Sequence, residues 1–349
     1  MDGTRPVMVS VVIVTWNRRE LLRNCLQSLA LQQGPRFEVI LVDNSSSDGS
    51  VEMAEREFGA TGRLILRVIC NSENRGFCTA NNQGIALAQG AFIALLNNDA
   101  EAEPGWIEGL AGAFTARPAV GMAASKILVW EDPARIDKAG HLIYLDGQNR
   151  GRGSGQLDTG QFDKSEEVLW PDGCAAMYRR AMLDEIGGFD EDFFAYADDA
   201  ELGLRARIAG WDCLYVPQAV VRHHRGATLG VLSTRRLELI ERNRILLAAK
   251  LFPWSLLCLN GAYFLARIAA GVWAAARNRG EVGRFPGIRG KLQVARAILK
   301  ADVSALLLLP KMFRKRSQLR SIRKLTGAQV AQLLRKNQIP LRELMERAV

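Results

Sequence analysis

The chain lacks the short motifs that would name several common enzyme classes at once. No GxGxxG follows its first apolar run and no GxxxxGKS/T occurs anywhere, which disfavours a dinucleotide oxidoreductase and a P-loop nucleotidase. Its six cysteines (Cys25, Cys70, Cys78, Cys174, Cys213 and Cys258) include no CxxC pair, and Met1 to Pro6 is polar rather than a secretory leader. Reduced thiols in a cytoplasmic protein are therefore expected. The three histidines show no zinc-site spacing with the cysteines, and there is no internal repeat or low-complexity linker. What is present is ample apolar material: 48% of 349 residues, with 24% charged, enough for the core of at least one large domain. That composition excludes a disordered tail, a collagen-like repeat and a disulfide mini-protein.

The net charge of +9 conceals an imbalance. From Ser233 to Val349 there are 24 lysines and arginines against 6 aspartates and glutamates, a surplus of 18, whereas Met1 to Leu232 carries a net −9. An acidic front joined to a basic back predicts separate jobs, with the basic part facing an anionic partner.

Two β-branched runs, Val9 to Thr15 and Phe37 to Asp43, read as buried parallel strands, with a helical stripe between them over Glu20 to Leu31. Further strands are expected near Leu64 to Ile69 and Ala91 to Leu96, with a helix around Thr79 to Ala88 between them. This alternation predicts an α/β fold with a doubly wound sheet whose ligands bind beyond the carboxyl ends of the strands. Those ends carry Thr15-Trp16-Asn17, Asp43-Asn44-Ser45, Asn71 to Arg75 and Asn97-Asn98-Asp99. Later helices are expected at Ala181 to Ile186 and Asp199 to Ala209, the second preceded by the aromatic and acidic cluster Phe193 to Glu201. Part of that cluster suits helix capping.

Beyond Ser233, the run Phe252 to Ala276 has 19 apolar residues in 25, with Arg267 its only charge. That length could span a bilayer. A mid-span charge costs about 2.5–3.5 kcal/mol and a single span would put basic residues on the outer side, so an in-plane or re-entrant helix against anionic headgroups is favoured. Val303 to Leu309 is too short to span, and packing of both segments within a soluble domain stays open.

In order along Val9 to Leu247, the segments Val11 to Arg18, Val42 to Gly49, Asn74-Arg75-Gly76-Phe77, Asn81-Asn82-Gln83-Gly84, Leu95 to Ala100, Gly187 to Glu191, Phe193 to Glu201 and His223-His224 form one set. This set resembles the inverting family 2 glycosyltransferases of GT-A fold, a Rossmann-like mixed sheet flanked by helices, and within them the bacterial rhamnosyltransferase-like branch acting on lipid-linked glycans. The resemblance implies a catalytic domain over residues 1–232, with a nucleotide-sugar half to about residue 100 and an acceptor half from 101, and a basic helical membrane-associating tail over 233–349. It implies that Asp43 holds the base, that Thr15, Asn17, Asn44, Asn97 and Asn98 line the same pocket, and that Arg75 lies near the diphosphate. Gly173 would sit beside the donor sugar with Asp172 on a hydroxyl. Asp99 and His223 would hold Mg²⁺ or Mn²⁺, with Asn97 standing where the family has a metal-motif aspartate. Asp199, paired with Asp198, would be the base, and Glu201 and Tyr196 would orient the site or meet the acceptor.

The implied donor is a nucleoside diphosphate sugar, dTDP-L-rhamnose by branch or else a UDP-sugar. The implied acceptor is a polyprenyl-diphosphate-linked glycan or polysaccharide at the cytoplasmic face of the inner membrane, where the protein would be peripheral or monotopic. A nucleotidyltransferase making a nucleotide sugar, a catalytically silent scaffold and a nucleic-acid-binding role for the tail are the competing readings. The aromatic and leucine-rich stretch near Trp254 and Trp273 argues for lipid rather than nucleic acid.

Overall fold

The computed structural model describes residues 8–225, 233–275, 287–341 and 343. The expected boundary at 232/233, the polar opening residues and the last residue of the 252–276 run lie at or beyond the edges of these segments. The strands are β1 (Val9–Thr15), β2 (Phe37–Asp43), β3 (Leu66–Cys70), β4 (Phe92–Leu96), β5 (Ala100–Ala102), β6 (Val120–Val129), β7 (Ile136–Lys138), β8 (His141–Ile143), β9 (Asn149–Gly151), β10 (Glu166–Glu167), β11 (Ala175–Arg179) and β12 (Asp212–His223). Two compact units result. The first comprises Met1–Gly140, Gly151–Arg207 and Trp211–Arg225, and the second His141–Arg150, Ile208–Gly210 and Gly226–Val349.

The first unit is built on a ten-stranded sheet of order β10-β12-β6-β11-β4-β1-β2-β3, with β5 paired to β12 and β7 to β6. β3, β2, β1 and β4 run parallel, as their apolar runs predict, and β1 and β2 are buried on both faces. The expected doubly wound pattern stops there, because β11 enters antiparallel to both β4 and β6 and makes the sheet mixed. The strand order runs outward from β1 to β2 and β3 and then returns to β4 on the other side of β1, a topological switch point of the kind at which ligands bind beyond the carboxyl ends of the strands. Helices Arg19–Ala30 and Gly76–Leu87 follow β1 and β3, within one and three residues of the expected boundaries. Asp48 ties the first of these to the next turn, its Oδ2 accepting from Arg19 N at 2.8 Å and its Oδ1 from Ser50 Oγ at 2.6 Å.

Glycines set two close approaches in this unit. A Cβ on Gly84 would stand 2.4 Å from Val12 Cγ1, so helix Gly76–Leu87 lies directly on β1 only because that residue has no side chain. A Cβ on Gly203 would stand 2.2 Å from Cβ of fully buried Trp170, which brings the segment after Trp170 against helix Asp198–Ile208. Gly203→Ala should destabilise the protein by about 1–3 kcal/mol through overpacking. A thermal midpoint unchanged from wild type would show that Trp170 can retreat.

The second unit is helical, with Thr234–Leu251, Trp254–Leu257, Asn260–Ala275, Gly287–Gln318 and Gly327–Lys336 as its main elements. Ser233 caps the first helix, accepting from Arg236 N at 3.3 Å, and Thr326 and Gln329 form a capping box on the last. The apolar run from Phe252 is divided by Pro253 and the turn before Asn260, and Val303 to Leu309 falls inside the helix Gly287–Gln318. Among the described residues no helix is long and apolar enough to cross a membrane. Arg267 belongs to a buried charge network: its Nε lies 2.5 Å from Asp146 Oδ2 and its Nη2 2.8 Å from Glu241 Oε2, while Arg244 Nε reaches the same Glu241 oxygen at 2.6 Å. The run's single charge is satisfied inside its own unit.

Candidate active site

The site is assembled at the carboxyl ends of β1, β2 and β4 and from two segments that cross in front of them. At the end of β2, Asp43 is buried, its Oδ2 accepting from Ser46 N at 2.9 Å. Its Oδ1 is buried with no hydrogen-bond partner among the described residues. A carboxylate oxygen in that condition costs free energy unless something donates to it. Thr15 Oγ1, at the end of β1, donates to Asn17 O at 3.2 Å and accepts from Asn98 Nδ2 at 2.9 Å. Asn17 and Ser45 adopt positive φ (57° and 67°), and Asn17 N donates to Ser46 Oγ at 2.7 Å, so the two strand ends are laced to each other. Asn44 is spent on the scaffold, with its Nδ2 on Gly76 O at 3.3 Å and its Oδ1 accepting from Asn71 Nδ2 at 2.9 Å.

The Asn97-Asn98-Asp99 turn ends β4. Asn97 is half-buried, with its backbone N–H on Cys174 O at 2.8 Å, and Asn98 is buried against Thr15. Asp99 Oδ1, buried and without a hydrogen-bond partner among the described residues, lies 3.5 Å from His223 Nε2 at the end of β12. The other ring nitrogen, Nδ1, is 2.8 Å from Asp137 Oδ2, and Asp137 Oδ1 is 3.0 Å from Arg225 Nε. Burial alone would lower the His223 pKa, but the Cys174 sulfur, Asp137 and Asp99 outweigh it and hold the imidazole well above the usual histidine range. Burial would likewise raise Asp137, yet Lys138, His223 and Arg225 keep it below the usual carboxylate range. The chain thus has a buried acid, an oriented imidazole and a second acid in series. A carboxylate oxygen and an imidazole nitrogen facing each other, with the far nitrogen held by a carboxylate, is a donor set that fits a divalent cation once the cation displaces the proton that the two carboxylates favour on the imidazole.

Across the crevice, Gly173 N donates to Asp199 Oδ2 at 3.3 Å. Asp172 and Asp199 bring carboxylate oxygens within 4.8 Å of each other. Asp172 does not stand open toward a ligand: Oδ2 is 2.5 Å from Lys138 Nζ and Oδ1 accepts from Cys174 N at 2.9 Å. The two members of the acidic pair differ sharply. Asp198 is buried, and burial together with the neighbouring Asp199 charge pushes it well above the carboxylate range, whereas Asp199 is half-exposed. The preceding loop is strained, with Phe194, Tyr196 and Ala197 all at positive φ (63°, 68° and 55°). Phe194 O accepts from Phe77 N at 2.9 Å and Cys78 N at 3.2 Å, which brings the segment carrying exposed Arg75 to the loop carrying Tyr196.

Glu201 lies in the interior. It is fully buried, with Oε1 and Oε2 at 2.9 and 2.7 Å from Arg205, whose guanidinium also donates to the carbonyls of Ile186, Gly187 and Gly188. Asn82 completes this clamp, accepting from Phe189 N at 2.8 Å and donating to Phe189 O at 2.9 Å, and a Cβ on Gly188 would meet Asn82 Oδ1 at 2.4 Å. Two of the sequence motifs are therefore architectural. The residues that sequence reasoning passed over are Asp137, Lys138 and Arg225. They sit in no recognisable motif and reach the site only because β7 pairs with β6, and β6 with β12.

Comparison with known proteins places this geometry. The N-acetylglucosaminyl-diphospho-decaprenol L-rhamnosyltransferase of Mycobacterium tuberculosis is 29% identical over 244 residues, covering 64% of this chain and 78% of that one. Staphylococcus aureus TarS (residues 1–349) superposes with a TM-score of 0.55 at 19% identity, over 95% of this chain and 92% of that one. The mannosyltransferase PcManGT of Pyrobaculum calidifontis, solved with GDP-Man and Mn²⁺, superposes with a TM-score of 0.52 at 19% identity, over 92% and 87%. The fold is that of GT-A glycosyltransferases. The profile described as glycosyl transferase family 2 matches residues 10–187, half of the chain and the part that carries Asp43, Asp99 and Gly173, and the protein belongs to that family of glycosyltransferases.

Proposed function

We propose that the protein moves a sugar, L-rhamnose by its relatives, from a nucleoside diphosphate donor to a hydroxyl of a lipid-linked or cell-surface glycan, with inversion at the anomeric carbon. The observation that carries this reading is the pair of buried carboxylate oxygens, Asp43 Oδ1 and Asp99 Oδ1, without a hydrogen-bond partner among the described residues, the first ending β2 and the second in the turn after β4, the two strands that flank β1 in parallel. Asp43 is suited to accept from a pyrimidine N–H, and the laced Thr15, Asn17 and Ser46 backbone shapes the pocket around it. Arg75 and the first turn of its helix offer positive charge to a diphosphate.

Asp99 and His223 would hold Mg²⁺ or Mn²⁺, as the solved relative holds Mn²⁺. Such an ion supplies neutralisation of the charge that builds on the leaving diphosphate. Asp137 fixes the imidazole so that Nε2 faces Asp99. On this reading Asp137→Asn should weaken Mn²⁺ binding by about 10–100-fold. Titration of free Mn²⁺ by electron paramagnetic resonance reads this directly, and an unchanged affinity would remove His223 from the ligand set.

The acceptor oxygen forms its bond to the anomeric carbon as the bond to the diphosphate oxygen breaks, the electron pair leaving with the nucleoside diphosphate. Asp199 takes the acceptor's proton. Its neighbour Asp198 is buried, and burial with the adjacent Asp199 charge pushes its carboxyl well above the usual carboxylate range, which disfavours a second negative charge beside the incoming oxygen. A catalytic part over residues 1–232 and a tail over 233–349, working at the cytoplasmic face of the inner membrane as a peripheral or monotopic protein, match an acceptor anchored in lipid. Calorimetry against dTDP-rhamnose, UDP-glucose, UDP-galactose, UDP-N-acetylglucosamine and GDP-mannose, each with and without Mn²⁺, tests the reading. Metal-dependent binding of one donor supports it, and binding of none refutes it.

A further inference from the structure

Helix Gly287–Gln318 carries two apolar faces. Val294, Ala297, Ala301, Ala305 and Met312 are buried, and the helix packs along Thr234–Leu251. At 100° per residue, a second set lies about half a turn away, opposite the first. It consists of Leu292, Leu299, Val303, Leu306 and Phe313, exposed by 52, 66, 50, 62 and 39%, with Leu307 beside them at 79%. Trp254, 60% exposed, stacks on Phe313 at 6.1 Å between centroids, and the Arg316 guanidinium lies 4.8 Å from the indole. Contiguous exposed apolar surface of this kind marks an interaction site.

Charge identifies the occupant. The helix has eight lysines and arginines and a single acid, Asp302, which is turned inward with Oδ1 3.8 Å from Arg244 Nη2. Exposed Arg289, Arg296, Lys300, Lys311 and Arg314 fall along one flank of the apolar stripe, between about 40° and 100° from Leu292 on the helical wheel. We propose that this face is an in-plane docking surface for an anionic lipid bilayer: the leucines enter the headgroup boundary while the basic flank meets lipid phosphates. The helix is 32 residues long, about 48 Å, and lies along a surface rather than through one. A second copy docked face to face would set basic flank against basic flank. A nucleic acid would leave the leucine stripe in water.

The in-plane contact expected over residues 252–276 is extended by this face, which Trp254 of that run joins through Phe313. The proposal stands independently of the sugar-transfer reading.

The experiment is flotation of the full chain with vesicles of phosphatidylcholine alone or with about 30 mol % phosphatidylglycerol. Wild type is expected to float with the anionic vesicles, and to be released by about 0.5 M salt. Leu299→Asp with Leu306→Asp should lower that partition at least about tenfold, with helical circular dichroism and the thermal midpoint retained because both positions are exposed. Arg289→Gln, Arg296→Gln and Arg314→Gln together should lower binding by about tenfold or more and remove its salt dependence, and they decide the matter if the aspartate variant fails to fold. Absence of flotation, equal flotation on uncharged vesicles, or variants that float like wild type would each overturn the proposal. So would a wild-type dimer in sedimentation that the aspartate pair dissolves, which would assign the face to a second copy.

Discussion

Asp199→Asn will lower turnover about 10³-fold while leaving donor affinity within about twofold. The acceptor hydroxyl has a pKa far above neutrality, so the displacement needs a carboxylate to receive its proton as the new bond forms. Asp199 is the half-exposed member of the pair and accepts from the backbone N–H of Gly173 through Oδ2, beside the expected sugar position. Asparagine keeps its shape and loses its basicity. Asp198→Asn is the control: burial and the adjacent charge push its carboxyl well above the usual carboxylate range and so disfavour its charged form, and turnover should fall less than about tenfold. Product formation followed by mass spectrometry, with donor binding by calorimetry, separates the two. If the Asp198 variant is the inactive one, or if Asp199→Asn abolishes donor binding, the base is misassigned.

Arg267→Ala will cost about 3–5 kcal/mol of stability, the largest structural effect expected from any single change considered. The guanidinium lies between Asp146 and Glu241, both buried, and its loss leaves two carboxylates short of a partner in a desolvated site. The pH dependence gives a second readout. Burial alone would raise the Glu241 pKa, but Arg267 and Arg244 pull it down to about 2, below its unfolded value of about 4.3. A depressed acid stabilises the fold fully above its unfolded pKa and loses that contribution as pH falls toward its folded pKa. Wild type should therefore lose stability progressively from about pH 4.5 to 2, and Arg267→Ala should already be destabilised near neutrality, with a weaker slope below pH 4.5. Thermal denaturation across that range measures both. A variant as stable as wild type at pH 7 would mean that the network relaxes around the vacancy.

The parallel half of the sheet was legible in the order of residues because local physics dictates it. Runs such as Val9–Thr15 and Phe37–Asp43 cannot be wetted on either face, and the polar ends that follow them must lie at one edge of a parallel sheet. Asp43 and Asp99 fall at those polar ends, whereas Asp199 and His223 were named through the resemblance of their segments to the family.

What tertiary structure alone decided is how those groups differ in environment. Asp198 and Asp199 are adjacent letters, yet one is buried and the other half-exposed. Glu201 reads as an acid near an acceptor loop, but one helical turn buries it on Arg205. Asp137 becomes the orienting partner of His223, 86 residues away, through the register of β7 on β6 and β6 on β12. Arg267 reads as a charge stranded in an apolar run until the fold supplies Asp146 and Glu241 from distant segments. Periodicity and turn chemistry act over a few residues, so sequence discloses elements and their edges. Burial, ion pairing and the pKa values they set depend on which distant chain arrives alongside, and only the folded sheet and helix packing settle that.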